Sequence, residues 1–540
     1  MKGRTRCVAV CLWLLALPFA VLGQDNGALS PPSSEPQFLK VFSDRAYFSA
    51  EDGLHGREPW MSDGTRQGTF MLLDVRKGSA GSEPQLFCEA SGLVFFTAHT
   101  DALGRELWCT DGTPQGTRIV RDIYPSYDSS SIRNLNSAFG KVFFNADDSH
   151  NGYEMLVSDG SESGTYLFKD FHVGGASQDP GRTGIFPPVG GRLFCYQFAV
   201  GKGYELWQSD GTPEGTTLVK DIMWAAHIED DHADVSPVFQ LGNIFLFHAQ
   251  DPTSGNELWR TDGTEAGTWM VKDINPERLH SSPGQFVLYA GKMYFSATDD
   301  VHGRELWETD GTPEGTRLVR DIFPGSGSSD PHNLVVVGDL LFFKADNGVN
   351  GMEVWKTDGT AEGSALLFES IEGPASSDPY SLTDFKGNLV FSATSAAYGE
   401  EMYISDGTTA GTRLFKDFDP KGNGSPHQYS PLRGGLVFTA GDAEHGTELW
   451  WSDGTAENTQ MIRDIYPPRI ANPSTSPHHL TACGSRLLFV ADDIAHGEEL
   501  WVDAGSQGDP RLLKDILPGT TGSAPAEFVG AGGRVFFAAT

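Results

Sequence analysis

A short acidic segment holds the densest group of side chains that could bind a metal ion. It is the run 227–234, and its candidate ligands are His227, Glu229, Asp230, Asp231, His232 and Asp234. Carboxylate oxygens and imidazole nitrogens suit divalent cations such as Ca²⁺ or Zn²⁺. The run lacks the glycine and the final glutamate of an EF-hand loop. A solvated acidic loop is the simpler interpretation, and a weak divalent-cation site is the hypothesis that these residues allow.

A second pattern places a histidine three residues after an aspartate. The pairs are Asp52 with His55, Asp299 with His302, Asp442 with His445 and Asp493 with His496. An imidazole beside a carboxylate can bind metal or titrate near neutral pH. Other copies of the same loop carry Asn151, Ser254, Asn350 or Tyr398 at the histidine position. The pattern therefore favours a polar turn residue over a metal ligand.

Two other acids recur too often to be catalytic. The repeated glutamates are Glu58, Glu106, Glu154, Glu205, Glu257, Glu305, Glu353, Glu401, Glu448 and Glu499. The aspartates that precede a glycine are Asp63, Asp111, Asp159, Asp210, Asp262, Asp310, Asp358, Asp406 and Asp453. Buried carboxylates that accept N–H groups explain the first set, and turn caps explain the second. No residue is assigned a catalytic role.

The repeated glutamates and the aspartates before glycine belong to one phrase, G-x-E-L-W-x-x-D-G-T, which recurs along the chain. Its aromatic position falls at Trp60, Trp108, Leu156, Trp207, Trp259, Trp307, Trp355, Tyr403, Trp450 and Trp501. Spacings of 47 to 52 residues define ten modules without linkers. Each module has four short apolar runs of strand length separated by turn residues, as at 340–345 and 352–357.

Consecutive apolar residues decide how these strands are packed. Pairs such as Phe342-Phe343 and Val354-Trp355 place apolar side chains on both faces of a strand. Both faces of each small sheet must therefore be buried, which sheets stacked around an axis achieve. We predict an all-β, propeller-like ring of about ten four-stranded modules.

The repeated phrase resembles the bacterial ELWxxDGT repeat family across about residues 40–516. The resemblance implies an exported, repeat-built protein, and it carries no known catalytic residues to this chain. Three modules depart from the phrase. The third has Leu156, the eighth has Met402-Tyr403, and the tenth shifts its acid to Asp503.

The predicted ring occupies residues 36–540, and its closure is open to two interpretations. Even spacing favours one wide ring over two rings of five, although propellers usually have about four to eight blades. The last residues, 526–540, repeat the opening half of the first module. These two strands either help to close the ring or begin an eleventh blade.

The amino terminus has the pattern of a secretory signal peptide over residues 1–23. Lys2, Arg4 and Arg6 precede the uncharged stretch 7–23, and cleavage is expected after Gly23. That stretch is shorter than the roughly 20 residues of a membrane span. Residues 24–35 form a flexible tail. We expect a secreted, periplasmic or cell-surface protein without a membrane span in the mature chain.

The charge and cysteine content narrow the choice of partners. The chain has 72 acidic and 39 basic side chains, a formal charge of −33. Such a surface disfavours nucleic acid and anionic membranes. Beyond the leader, the cysteines are Cys88, Cys109, Cys195 and Cys483, which are scattered over different modules and allow at most an occasional disulfide. The expected partner is a protein or glycan ligand at the cell surface.

Loop length points to one face of the ring. Connections from the second to the third strand, and from one module to the next, share a face that we call the loop face. The longest modules gain their length at 171–188, 222–237 and 465–479, all on this face. Variable loops on a rigid scaffold usually carry binding functions.

The favoured function is an exported, non-enzymatic binding or surface-interaction scaffold, with its ligand on the loop face or in the central channel. One alternative is a glycan-active hydrolase or lyase, which would need two non-repeated acids about 5–10 Å apart. Asp230, Asp231 and Asp234 are the candidates for such a pair. Another alternative is a purely structural component of the envelope.

Overall fold

The computed structural model describes residues 33–172, 183–224, 233–465, 478–483, 486–493, 497–502, 511–517, 522–531 and 534–539. Within these ranges the regular structure consists of 42 strands. The strands of the first five sheets are β1 (Gln37–Phe42), β2 (Arg45–Glu51), β3 (Arg57–Ser62), β4 (Thr69–Met71), β5 (Gln85–Ala90), β6 (Leu93–Thr100), β7 (Gly104–Thr110), β8 (Arg118–Arg121), β9 (Arg133–Ala138), β10 (Lys141–Asp147), β11 (Tyr153–Ser158), β12 (Tyr166–Lys169), β13 (Gly184–Ile185), β14 (Leu193–Ala199), β15 (Gly203–Ser209), β16 (Thr217–Leu218), β17 (Phe239–Leu241), β18 (Ile244–Asp251), β19 (Gly255–Thr261) and β20 (Trp269–Lys272).

The remaining strands continue the same order. They are β21 (Gly284–Tyr289), β22 (Lys292–Asp299), β23 (Gly303–Thr309), β24 (Arg317–Arg320), β25 (His332–Val337), β26 (Leu340–Asp346), β27 (Met352–Thr357), β28 (Ala365–Phe368), β29 (Tyr380–Phe385), β30 (Asn388–Ser395), β31 (Gly399–Ser405), β32 (Arg413–Lys416), β33 (His427–Leu432), β34 (Gly435–Asp442), β35 (Gly446–Ser452), β36 (Gln460–Arg463), β37 (His478–Cys483), β38 (Arg486–Asp493), β39 (Gly497–Val502), β40 (Arg511–Lys514), β41 (Ala526–Ala531) and β42 (Arg534–Ala538).

Every four consecutive strands from β1 to β40 form one antiparallel sheet in chain order, and β41 pairs with β42. The predicted all-β fold of ten four-stranded modules is therefore confirmed. The middle strands are buried on consecutive residues, as in β2, where Ala46 to Ala50 are all inaccessible to solvent. Because neighbouring strand residues point to opposite faces, each of these sheets has two buried faces.

The sheets close into a ring through the first and ninth copies. Each inter-sheet hydrophobic cluster joins two consecutive sheets; in one of them Trp108 packs with Leu72 of the first sheet. A ninth such cluster unites Leu39 and Trp60 of the first sheet with Leu432 and Ile465 of the ninth. Nine sheets thus stack face to face around an axis, and we call them blades one to nine.

Hydrogen bonds at the closure repeat those found between other blades. The hydroxyl of Ser82 donates to Glu58 of the preceding blade at 2.6 Å. At the closure, the hydroxyl of Ser34 donates to Glu448 of blade nine at 2.7 Å. Residues 33–36 therefore give blade nine the contact that the next module along the chain supplies elsewhere.

The tenth sheet follows the closure in the chain. Its strands are β37 to β40, and β37 contacts β41 of the two-stranded sheet. The strands predicted within 526–540 thus pair with each other beside the tenth sheet. In the part of the chain that the structure describes, no helix is long and apolar enough to cross a bilayer.

The first strand of each blade lies nearest the axis. β5 contacts β1 and β9, and β25 contacts β21 and β29, whereas the outer strands of neighbouring blades lie farther apart. In a radial arrangement only the innermost strands approach one another in this way. The first strands therefore form the wall of the central channel.

Candidate functional site

Most first strands carry an irregularity at their second residue. The register shifts there, and the residue takes a positive φ of 54° to 60°: Phe38, Leu86, Asn134, Gln285, Asn333, Ser381 and Gln428. The left-handed region is uncommon for residues other than glycine, and a bulge re-aims the side chain that it carries. The same bulge therefore places the side chain of this second residue on the wall of the channel in most blades.

In several blades this side chain is an amide that links two blades. Oε1 of Gln285 accepts the N–H of Asn333 in the next blade at 3.3 Å. Oε1 of Gln428 accepts the N–H of Leu39 at 2.9 Å, and its Nε2 donates to the carbonyl of Pro36 at 3.0 Å. These amide side chains thus satisfy backbone groups of the neighbouring blade.

Blades one and two present apolar side chains at the same position. Phe38 is 45% exposed and Leu86 is 38% exposed. They line a cavity of about 580 Å³ that extends over the first strands of blades one to three. We call the side chains of Phe38 and Leu86 that face this cavity the apolar wall. Bulky residues held at positive φ cost about 1–3 kcal/mol each, and such strain often marks functional positions.

Polar residues line the cavity beside the apolar wall. They are Lys40, Cys88, Glu89, Asn136 and Ser137. Burial raises the pKa of the Cys88 thiol, although hydrogen bonding with Ser137 opposes the shift, so the thiol is neutral and a poor nucleophile. An apolar surface with a few charged groups at its edge is the usual form of a small-ligand site.

The repeated glutamates accept hydrogen bonds from backbone and serine donors of the fold. Glu58 accepts the backbone N–H of Val75 at 3.1 Å and the hydroxyl of Ser82 at 2.6 Å. Burial raises the pKa of Glu205 to about 8. In seven other blades burial raises the pKa of the repeated glutamate to about 7, and these residues are Glu58, Glu106, Glu257, Glu305, Glu353, Glu401 and Glu448. Their structural interpretation is confirmed.

The repeated aspartates form turn caps, as the sequence indicated. Oδ1 of Asp63 accepts the N–H of Thr65 at 2.9 Å and its hydroxyl at 2.7 Å. The hydroxyl of Thr65 in turn accepts the N–H of Gly68 at 3.0 Å. This compact loop recurs in the other blades, where the aspartate again caps its own turn, as at Asp111 and Asp262.

The histidine and aspartate pairs are also turn residues. Asp52 accepts the N–H groups of Leu54 and His55 at 2.8 and 2.9 Å, and the ring Nδ1 of His55 lies 2.7 Å from its carboxylate. The hydrogen bond that the ring Nδ1 of His55 makes to Asp52 raises the pKa of His55. His302 and His445 repeat the arrangement, and His496 lies outside the described residues.

Most of the predicted metal ligands lie outside the described residues. These are His227, Glu229, Asp230, Asp231 and His232. The described member, Asp234, accepts the amide of Asn256 at 3.0 Å, and its N–H donates to the hydroxyl of Tyr196 at 3.0 Å. Where the chain is described, no group of three or more metal-ligating side chains comes together. The cation site in 227–234 stays a prediction.

Sequence reasoning did not single out Phe38 and Leu86. The signal was present, because both stand in a column of the repeat that elsewhere holds Asn134, Gln285 and Gln428. An apolar residue in a polar column is visible once the copies are compared position by position. Its meaning depends on knowing that the column faces the channel.

The chain matches no family model and no curated protein. It is similar to the computationally designed Ika8 protein at 14% identity, covering 69% of this chain and 98% of that one, with a TM-score of 0.37. The β-propeller domain of the Trilobed protease from Pyrococcus furiosus is 9% identical, with 72% and 98% covered and a TM-score of 0.30.

A prolyl endopeptidase structure is 12% identical over 67% of this chain, with a TM-score of 0.38. The chain spans 54% of that peptidase. With TM-scores below 0.5, these similarities support no conclusion about this chain.

Proposed function

We propose that this protein is a non-enzymatic binding scaffold whose ligand enters the central channel and contacts the apolar wall. The observation that carries the proposal is the pair Phe38 and Leu86, which stand exposed on strained backbone where other blades place amides. An exposed phenylalanine and leucine beside a cavity of about 580 Å³ offer contact area that a soluble protein usually covers.

The chemistry of the ring supports binding rather than turnover. The repeated glutamates accept backbone and serine donors, and the repeated aspartates cap their own turns. Cys88 is held as a neutral thiol. These groups have structural partners, so the apolar wall offers shape and contact area with Lys40 and Glu89 as its charged neighbours.

The test replaces the apolar wall by the amides that other blades use. The double variant Phe38→Gln, Leu86→Gln introduces side chains that the same backbone carries at Gln285 and Gln428. Binding is measured by biolayer interferometry against an array of apolar peptides and defined oligosaccharides. We expect the wild type to retain at least one probe unchanged, and the double variant to bind it at least about tenfold more weakly.

A matched control is Leu288→Gln, because Leu288 is 52% exposed on β21 and lies outside the lining of the cavity. This variant should bind as the wild type does. Equal binding by the double variant would contradict a ligand at the apolar wall. Hydrolysis or cleavage of a retained oligosaccharide would instead support the glycan-active alternative.

We also propose that the protein acts outside the cytoplasm. The support is the charged and then apolar order of residues 1–23. Expression of the full chain in a bacterial host, followed by sequencing of the exported product, should find Gln24 at its amino terminus. Retention of residues 1–23 in the cytoplasmic fraction would contradict export.

A further inference from the structure

The interface between blades two and three departs from the pattern of the ring. In seven of the nine blades the aromatic position of the repeat is tryptophan, and each indole packs against the preceding blade. Trp355, for example, lies in one cluster with Val319 and Ile322 of blade six. Blade three has Leu156 instead, and it packs with Val120 and Ile123 of blade two.

At three of the seven tryptophan interfaces a cation lies over the indole, at Trp60, Trp207 and Trp307. Nζ of Lys272 lies 6.0 Å from the ring centre of Trp307, and the guanidinium of Arg463 lies 5.8 Å from that of Trp60. Lys272 also donates to the carbonyl of Thr316 at 2.7 Å. Arg121 makes the equivalent hydrogen bond to the carbonyl of Thr165. It therefore holds the position of a cation above an indole, although its neighbour is Leu156.

The missing ring leaves space. A cavity of about 270 Å³ is lined by Arg121, Ile123, Leu156, Tyr166, Leu167 and His150, among others. We call it the blade-three cavity. Blade eight also lacks the tryptophan, but there the tilted rings of Tyr403 and Phe368 lie with their centres 5.0 Å apart and fill the interface. In blade eight, Tyr403 therefore compensates for the missing tryptophan, whereas in blade three Leu156 leaves a cavity.

We propose that the blade-three cavity binds a small molecule through a planar aromatic ring of about the size of indole. The ring would lie under the guanidinium of Arg121 and contact the side chains of Ile123 and Leu156. A cation over an aromatic face contributes about 0.5–2 kcal/mol. Apolar cavities of about 150 Å³ already bind benzene in other proteins. His150, on the loop between the second and third strands, places the opening on the loop face.

The repeat supplies the physical reason for an aromatic ligand. The flanking elements are built as at the interface of blades five and six, where Trp307 lies between Lys272 and aliphatic side chains. The blade-three cavity is thus complementary to an indole ring, which the sequence does not supply at Leu156. This site is separate from the apolar wall, so either proposal can fail without the other.

The experiment titrates the full-length protein with fluoroindole and follows the ligand by fluorine NMR. We expect saturable binding to one site per chain. Leu156→Trp should abolish the binding, because the new indole occupies the cavity as Trp355 does in blade seven. The same variant should have a higher Tm than the wild type, since it fills a void at a blade interface.

A second variant makes the converse test. Trp355→Leu removes the indole at an interface where Arg320 and Ile322 repeat Arg121 and Ile123. It should bind a second equivalent of fluoroindole. If it does not fold, the comparison of the wild type with Leu156→Trp still decides. Absence of saturable binding to the wild type, or binding that Leu156→Trp leaves unchanged, would overturn the proposal.

Discussion

Glu448 of blade nine and Glu499 of the tenth sheet are copies of one residue in different surroundings. Glu448 accepts the hydroxyl of Ser34 at 2.7 Å and the N–H of Ile465 at 3.1 Å. Glu499 accepts the hydroxyl of Ser523 at 2.6 Å and the N–H of Leu517 at 3.1 Å. Burial raises the pKa of Glu448 to about 7. Desolvation of Glu499 is outweighed by its hydrogen bonds, and its pKa is lowered.

The comparison separates two contributions to the fold. The same kinds of donor, a serine hydroxyl and a backbone N–H, meet the glutamate in both places, and the serine comes from the connection to the following module or, at the closure, from Ser34. The dielectric environment is set by stacking, since blades one and eight both pack against blade nine. The hydrogen bonds therefore need only an adjoining segment of chain, whereas the raised pKa needs a place inside the ring.

Removing the two glutamates is the strongest way to test this difference. Glu448→Ala leaves the donors of Ser34 and Ile465 buried without an acceptor, which should lower the free energy of unfolding of the ring by about 2–3 kcal/mol. Glu499→Ala should leave the unfolding of the ring unchanged. Both are measured by denaturant unfolding followed by tryptophan fluorescence. Equal losses in the two variants would show that closure does not depend on Ser34 and Glu448.

The pH dependence of stability sharpens the comparison. A carboxyl whose pKa is raised to about 7 keeps its proton in the folded ring where the unfolded chain, with an ordinary value of 4.5, releases it. The stability that each raised glutamate contributes is therefore present below about pH 4.5 and lost as the pH rises through about 7. We expect the Tm of the ring to fall between about pH 5 and pH 8.

Two variants serve as controls for that profile. Glu205→Gln removes the glutamate with the highest pKa, about 8, and should make the fall in Tm shallower. Glu499 has a lowered pKa, so its contribution is present above its ordinary value and is lost only in more acid solution. Glu499→Gln should leave the profile between about pH 5 and pH 8 unchanged. A Tm that rises over this range would contradict the buried, protonated state of the blade glutamates.

The smallest expected effect concerns the ion pair at the closure. Nη2 of Arg433 lies 3.4 Å from Oδ2 of Asp63, and the arginine side chain is 48% exposed. Exposed pairs of this kind are worth at most about 1 kcal/mol, so Arg433→Ala should change the free energy of unfolding by less than about 0.5 kcal/mol. A large loss, measured by the same denaturant unfolding, would show that charge rather than the apolar cluster of Leu39, Trp60 and Leu432 holds blades one and nine together.

Much of the local structure was predictable from the repeat. The runs at 340–345 and 352–357 form β26 and β27, with bounds that differ by at most one residue. Asp63 and Asp52 act as the turn caps that their spacing with glycine and histidine indicated. These features depend on strand propensity, alternation and short hydrogen bonds, all of which act within a few residues of one another.

The candidate sites were less predictable. Phe38, Leu86 and Leu156 are ordinary apolar residues in the sequence, and each becomes significant because of what other copies place at the same position. Comparing the copies reveals the departures. Only the ring shows that Phe38 and Leu86 lie on the channel wall and that Leu156 and Arg121 line one cavity.

The sequence by itself determined the module: four strands, two apolar faces, a buried glutamate and a capped turn, repeated ten times. The tertiary structure decided how many modules form the ring. All blade interfaces use similar residues, so no single interface in the sequence is marked as the last. Closure after nine blades places Leu39 against Leu432 and Ser34 on Glu448, contacts between residues about 400 positions apart that only the completed curvature of the ring brings together.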